Sequence, residues 1–293
     1  MKVAVCYVNP IEFHGTHLTL RNDYEISRGL TERLIGRLQK RIPNIEVSSV
    51  HDIQKGCDAA KGPGTEQTSL SELRQTILTT CEEIERSRPD FVLFMTFHGS
   101  PKHARAIQSG VNYFKRRGIP AYNPFNLMLK MVRDYHPSVA DGVALLIPDR
   151  HFAEEWQKRM PEDFHGGLFE TSVMLACDPT KVDPNYKNQP DCPQWKIPFV
   201  LKSIIGLTRT IGFDTFARDL SLIADAVSWV RTEPYYGYTS APRYATAEIG
   251  EFFIGKFMPD YEKQFLEILQ GRGTSPKPVL QWTTLISPDG GSV

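Results

Sequence analysis

Apolar and polar positions divide the chain into short apolar runs that alternate with longer amphipathic segments. The run at 3–8 (Val-Ala-Val-Cys-Tyr-Val) has the length of a buried strand. At 24–42 the residues Ile26, Leu30, Leu34, Ile35, Leu38 and Ile42 recur at helical spacing. A weak strand at 47–50, a Gly-, Lys- and Pro-containing loop at 56–68 and a helix at 71–87 follow. That helix starts at Ser69-Leu70-Ser71-Glu72, a good capping sequence. Phe91–Met95 is a continuous apolar strand of the kind buried on both faces of a parallel sheet. The pattern then predicts a helix over 103–117, a buried strand over 142–147 and a helix start at 170–176.

Alternation of this kind implies an α/β fold, a mainly parallel sheet covered on both faces in three α/β/α layers. Ligands of such sheets sit beyond the carboxyl ends of the strands. The stretch 181–198, rich in Pro, Asn, Asp and Lys, reads as an excursion on the surface or across the site. The tail 271–293 is rich in Gly, Pro, Ser and Thr and is expected to pack loosely or reach a neighbouring subunit. No internal repeat is found.

Charge narrows the function. Lys+Arg and Asp+Glu both count 34, so no net electrostatic footprint for nucleic acid or an anionic membrane exists. No apolar stretch reaches the length of a membrane span, and the first residues lack the features of a signal peptide. The five cysteines are scattered without a Cys-x-x-Cys pair, which fits reduced thiols in the cytoplasm.

Three clusters carry candidate chemistry. Glu12-Phe13-His14 follows the first strand. In extended backbone Glu12 and His14 face the same way, and Asp23 returns at the start of the next helix. His98 stands just past the 91–95 strand, where a doubly wound sheet places its site. Asp163-Phe164-His165-Gly166-Gly167 precedes Glu170-Thr171-Ser172 at a helix start. Carboxylates and imidazoles are suitable ligands for zinc, manganese or iron. Taken singly, each cluster also reads as a polar loop, a structural histidine or a helix cap.

Taken together, the clusters resemble the creatininase (creatinine amidohydrolase) family. The 12–23 segment resembles E-x-H-G-x-H-L-P-L-x-T-D, the segment around His98 resembles N-G-H-G-G-N, and 163–172 resembles D-x-H-A-G-x-x-E-T-S. Pro63-Gly64-Thr65 and the 241–250 segment match two further family motifs, in order, from about residue 3 to 256. The resemblance implies one metallohydrolase domain over 1–270, with a variable excursion at 181–235, and two divalent metal ions per chain. It implies that Asp23 bridges them, that Glu12 and His98 complete one site and that His14 belongs to the other. Creatininase itself carries a glutamate where this chain has Ser100; other branches of the family use the glutamate of the E-T-S segment, so the resemblance implies Glu170, or else another group, as the fifth ligand. Glu12, Asp23, Glu170 and one hydroxide would then neutralise the two ions. His165 matches the family's active-site histidine and would move a proton at the scissile C–N bond. His17, Thr65, Ser100 and Asp163 are candidate substrate-binding residues.

The expected activity is hydrolysis of an amide, cyclic amide or formamide bond of a small molecule by an activated water. The expected assembly is a homo-oligomer, usually a hexamer in the family, and aromatic clusters at Tyr235, Tyr236, Tyr238 and Trp282 offer modest independent support. Departures from the motifs include Thr19, Arg21-Asn22, Pro101, Lys102 and Leu168. Arg21, Lys102 and His103 either bring positive charge near the site or point to solvent. A metal-binding homologue acting as a scaffold is the alternative of a different class. A nucleotide-binding protein lacks its glycine-rich loop here.

Overall fold

A computed structural model describes residues 1–134, 136–280 and 282. Four parallel strands form its sheet in the order β2-β1-β3-β4: β1 (Lys2–Val8), β2 (Glu46–Ile53), β3 (Phe91–Met95) and β4 (Ala121–Tyr122). Strand parity divides the core. Val3, Val5, Tyr7, Phe91, Leu93 and Met95 face one layer, and Ala4, Cys6, Val8, Val92 and Phe94 face the other. The first layer contains α1 (Asn22–Gln39), α7 (Leu168–Cys177) and α10 (Ala247–Leu269), and the second contains α2 (Leu70–Arg86) and α3 (Pro101–Lys115). The three-layer expectation therefore holds. The Ser69 hydroxyl accepts from the Glu72 amide and caps α2.

The remaining helices are α4 (Phe125–Arg133), α5 (Pro137–Leu146), α6 (Arg150–Lys158), α8 (Phe199–Thr210) and α9 (Asp214–Trp229). Helix α5 corrects the strand expected at 142–147. Its buried residues, Val139, Ala140 and Val143, recur at helical spacing, and Pro137 opens it with a fixed φ. Gly142 is needed there because the Phe252 ring lies 2.1 Å from where a Cβ would stand. The short apolar run was ambiguous between the two periods. The fourth strand is the two-residue β4, too short to leave a periodic signal.

Residues 181–198 fold back over the chain. Val182 bridges Leu18, the Asp183 amide donates to the His17 carbonyl, and Tyr186 is buried. The described part of the tail also docks on its own chain. The Ser275 hydroxyl accepts from the Asn123 amide, and the Trp282 indole donates to Asp219. The five cysteines are free. Among the described residues no helix is long and apolar enough to cross a membrane.

Candidate metal centre

Strand order explains where the centre lies. From β1 the chain crosses to β2 on one side, and β3 leads to β4 on the other. The carboxyl ends of β1 and β3 therefore flank the switch point of the sheet. The loop after β1 carries Glu12 and His14, and the loop after β3 carries His98. The buried Asn9 ties the loops together, its side-chain oxygen accepting from the Phe97 amide at 3.0 Å and from Ser27 at 3.2 Å. Helix α1 returns Asp23 in its first turn, and α7 supplies Glu170.

Glu12, His14, Asp23, His98, His165 and Glu170 all converge and are all buried. Three overlapping triads place their ligand atoms within 4.8 Å of one another: Glu12–Asp23–His98, His14–Asp23–Glu170 and Glu12–His14–His165. The Asp23 oxygens divide between two histidines, Oδ1 lying 3.1 Å from His14 Nε2 and Oδ2 3.7 Å from His98 Nδ1. Glu12 Oε2 lies 2.9 Å from His98 Nδ1, and Glu170 Oε2 3.6 Å from His14 Nε2.

Backbone carbonyls orient the imidazoles. His14 Nδ1 faces the Glu12 carbonyl at 3.1 Å, His98 Nε2 the Cys57 carbonyl at 2.8 Å and His165 Nε2 the Phe13 carbonyl at 3.0 Å. A carbonyl only accepts, so each of these nitrogens carries a proton. The other nitrogen of each neutral ring turns a lone pair inward. Glu12 Oε2 and both Asp23 oxygens are buried and have no hydrogen-bond donor other than the His14 and His98 rings when these are protonated. Buried carboxylates are costly unless paired or bound to metal. The residues thus fit divalent cations, with carboxylate oxygens and ring nitrogens converging on one buried place.

Titration behaviour reports the same frustration. Burial opposes the charged form of His14, but Asp23, Glu170 and Glu12 outweigh it and push the ring up to about 10. His98 rises to about 9 against burial, chiefly through Glu12. Glu12 is held well below the usual carboxylate range because His98, His165 and His14 outweigh its burial. Burial, aided by the Asp23 charge, raises Glu170 to about 8. His165 falls to about 4 through burial and the neighbouring His14 charge. Without cations, the cluster holds protons in their place.

The other candidate residues surround the cluster. His17 Nε2 meets the Gly166 carbonyl at 3.1 Å and the Thr171 hydroxyl at 2.9 Å, and burial lowers the ring to about 4. Thr65 accepts from the Phe13 amide and donates to the Ala60 carbonyl, bracing the loop of Glu12 and His14. Ser100 caps α3 and donates to Asp58 at 2.8 Å. Asp163 accepts from the Trp156 indole at 2.7 Å and the Phe169 amide at 3.0 Å, and burial raises it to about 7. These contacts occupy Thr65 and Ser100 with the chain's own groups, whereas both Asp163 bonds fall on Oδ2 and leave its buried Oδ1 without a partner. Gly166 has φ +57°, and its amide donates to Glu170 Oε2 at 2.6 Å, orienting that carboxylate.

Of the two readings open for Arg21, Lys102 and His103, charge near the site or exposure to solvent, His103 takes neither, its ring lying 5.0 Å from that of His98. Arg21 pairs with Asp52 and Lys102 with Asp58. His103 is fully buried against the Val8 carbonyl and Thr96, and burial lowers it to about 3, so it is neutral. Sequence reasoning missed Trp229, whose ring lies 4.9 Å from His165, and Tyr235 as a neighbour of the centre, 5.3 Å from Trp229. Their only signal was an aromatic concentration just before the 241–250 motif.

The creatininase family pattern, described as creatinine amidohydrolase, matches residues 1–262. Among solved structures, a putative creatinine amidohydrolase from Bacteroides fragilis is 15% identical, with a TM-score of 0.58 over 92% of this chain and 90% of that one. A glutamate-to-glutamine mutant of creatininase, Zn-Zn type, is 18% identical, with a TM-score of 0.55 over 90% of each chain. A structure titled "Creatininase Mn" is 18% identical, with a TM-score of 0.53 over 90% of each chain. No curated protein matches the chain in sequence. A family match running from the first strand to α10, on this fold and around this cluster, shows that the chain belongs to the creatininase family.

Proposed function

We propose that the chain hydrolyses a C–N bond, in an amide, cyclic amide or formamide of a small molecule, at a centre of two divalent ions. The observation that carries this reading is Asp23, a buried carboxylate whose two oxygens face two differently placed histidines. That is the disposition of a bridging ligand. Glu12 and His98 would hold one ion, and His14 and Glu170 the other. The zinc and manganese named for similar structures, together with iron, are the cations that this oxygen and imidazole set suits. When bound, the ions lower the pKa of water and polarise a carbonyl oxygen.

The chain's own residues supply the rest. His165 Nε2–H is committed to the Phe13 carbonyl, so Nδ1 is the atom that exchanges protons. It lies 3.9 Å from Glu12 Oε1. There it can take a proton from the attacking water and return it to the leaving nitrogen, so that amide and water become acid and amine. Burial keeps the ring neutral and ready to accept first. Glu12, Asp23 and Glu170 balance the added cationic charge in the buried site.

Elemental analysis after loading with zinc, manganese or iron, followed by a panel of amides, cyclic amides and formamides, tests the reading. Absence of bound metal would sink it. Metal uptake without turnover on any substrate would favour the scaffold alternative. His165→Ala should keep its metal and lose activity by roughly a hundred- to ten-thousand-fold.

A further inference from the structure

Four rings form a column leading out of the centre. His14 and His165 stack with centroids 4.1 Å apart, Trp229 lies 4.9 Å from His165, and Tyr235 lies 5.3 Å from Trp229. The Trp229 indole donates to the Tyr238 carbonyl at 3.0 Å, fixing this wall against the 235–239 segment. That segment runs along the loops of the centre. The Thr239 amide donates to the His165 carbonyl at 2.7 Å, and a Cβ on Gly237 would strike Phe13 at 2.3 Å. Tyr235 therefore stands two residues from a backbone pressed against the Glu12–His14 loop.

The Tyr235 ring is half-buried, but its hydroxyl is buried and has no hydrogen-bond partner. An orphaned buried hydroxyl is costly, and one beside a functional centre calls for an absent partner. Burial, with the Glu12 charge acting on the phenol, raises its pKa well above the ordinary tyrosine value. The group is thus a neutral O–H at physiological pH, close enough to feel Glu12 but not hydrogen-bonded to it. Few other protons are on offer nearby. Once cations displace the protons of the cluster, Glu12, Asp23 and Glu170 are acceptors, and the imidazoles of His14, His98 and His165 have each committed an N–H to a backbone carbonyl.

We propose that Tyr235 is a substrate-binding residue of this centre, its hydroxyl donating a hydrogen bond to the carbonyl oxygen of the scissile amide. The inference rests on the amidohydrolase reading and adds to it a proton donor for an oxygen that gains negative charge as water attacks. The donor is a phenol at the end of an aromatic wall. The substrate class it favours is therefore a small amide with a flat or apolar body beside the carbonyl.

The test compares the full-length protein with Tyr235→Phe, both loaded with cobalt(II), using acetohydroxamate as the probe because it presents an amide-like carbonyl oxygen. Binding is read from the visible absorption of the cobalt. Tyr235→Phe should take up the same amount of cobalt and bind the hydroxamate about tenfold more weakly, the scale of one hydrogen bond. The metal-free variant should melt at the same temperature as the parent or higher, because the lost hydroxyl had no partner. Equal hydroxamate affinity in the two proteins, including none in both, overturns the proposal. So does a variant that melts lower, which would make the hydroxyl structural. A parent that takes up no cobalt overturns the amidohydrolase reading itself, and this proposal with it.

Discussion

The metal centre and helix α8 break the ordinary rule of burial in opposite directions. At the centre, Glu12, His14 and Asp23 are each only 1% exposed, although they are charged or polar. On α8, Val200 is 71% and Leu207 62% exposed, although they are apolar. Buried charge and exposed hydrophobe both cost stability, and both mark a surface whose partner is something other than the chain itself. The two differ in what that partner must be. Converging carboxylate oxygens and ring nitrogens select small cations, whereas an apolar helix face selects another apolar surface.

The strongest attack on this contrast is Asp23→Ala. Each Asp23 oxygen faces a different histidine, so its loss should weaken both metal positions at once, by more than about a hundredfold in affinity. Metal content after gel filtration is the readout. Full retention would show that the carboxylate is not shared. Glu170→Gln should come next, lowering content at the His14 position, while Ser100→Ala should leave it near normal. Ser100 is already engaged with Asp58 and the start of α3. The reverse pattern would return the fifth ligand to Ser100, two residues after His98.

A smaller effect sharpens the same comparison through pH. In the metal-free protein His14 rises to about 10 and His98 to about 9. Their folded values exceed the unfolded ones, so their contribution is fully present below pH 6.5 and is lost as pH rises through 9 and 10. Glu170, raised to about 8 by burial, acts in the same direction as it ionises. Cations must displace these protons, so metal affinity should increase with pH and binding should release about three protons near neutrality, one each from His14, His98 and Glu170. Thermal melts with and without chelator should therefore diverge from pH 6.5 to 9.5. A constant gap across that window would mean that protons and cations do not compete at this site.

Legibility in the sequence followed the length of each signal. The strand at Phe91–Met95 and the helices α1, α2 and α3 repeat their period often enough to be read directly. Helix α5 and the two-residue β4 were not readable, because six apolar residues fit either period and two residues carry none. In the centre, residue types and spacing made Glu12, His14, Asp23 and His98 candidates, and only the resemblance to the family motifs joined them, with Glu170 and His165, into one site. That the His17, Thr65 and Asp163 side chains are held by the chain's own groups could not be seen. Those contacts join segments as far apart as His17 and Thr171, and no local pattern records them. Tyr235 was visible only as an aromatic residue in a loop. Its relation to the centre depends on Trp229, which α9 delivers from another part of the fold.

The last prediction concerns α8, where the expected effect on chemistry is smallest. Sequence reasoning allowed the tail to reach a neighbouring subunit, but its described residues, like 181–198, dock on their own chain. Among the described residues the exposed large apolar side chains concentrate on α8 and just after it. Ile205 and the half-buried Leu201 pack toward Ala217 and Ala224 of α9. Val200, Ile204, Leu207 and Ile211 lie four, three and four residues apart, a continuous stripe on a different face. We propose that this stripe contributes to the interface of a homo-oligomer. Replacing both Val200 and Leu207 with Glu should then reduce the assembled mass read by light scattering toward the 33.2 kDa of one chain. Both side chains meet water within the chain, so its own stability should change by no more than about 0.5 kcal/mol per site. Metal content should be unchanged, because α8 supplies no group to the cluster. A parent protein that is monomeric and fully active at low concentration would remove the interface, leaving the two violations of burial without a common explanation.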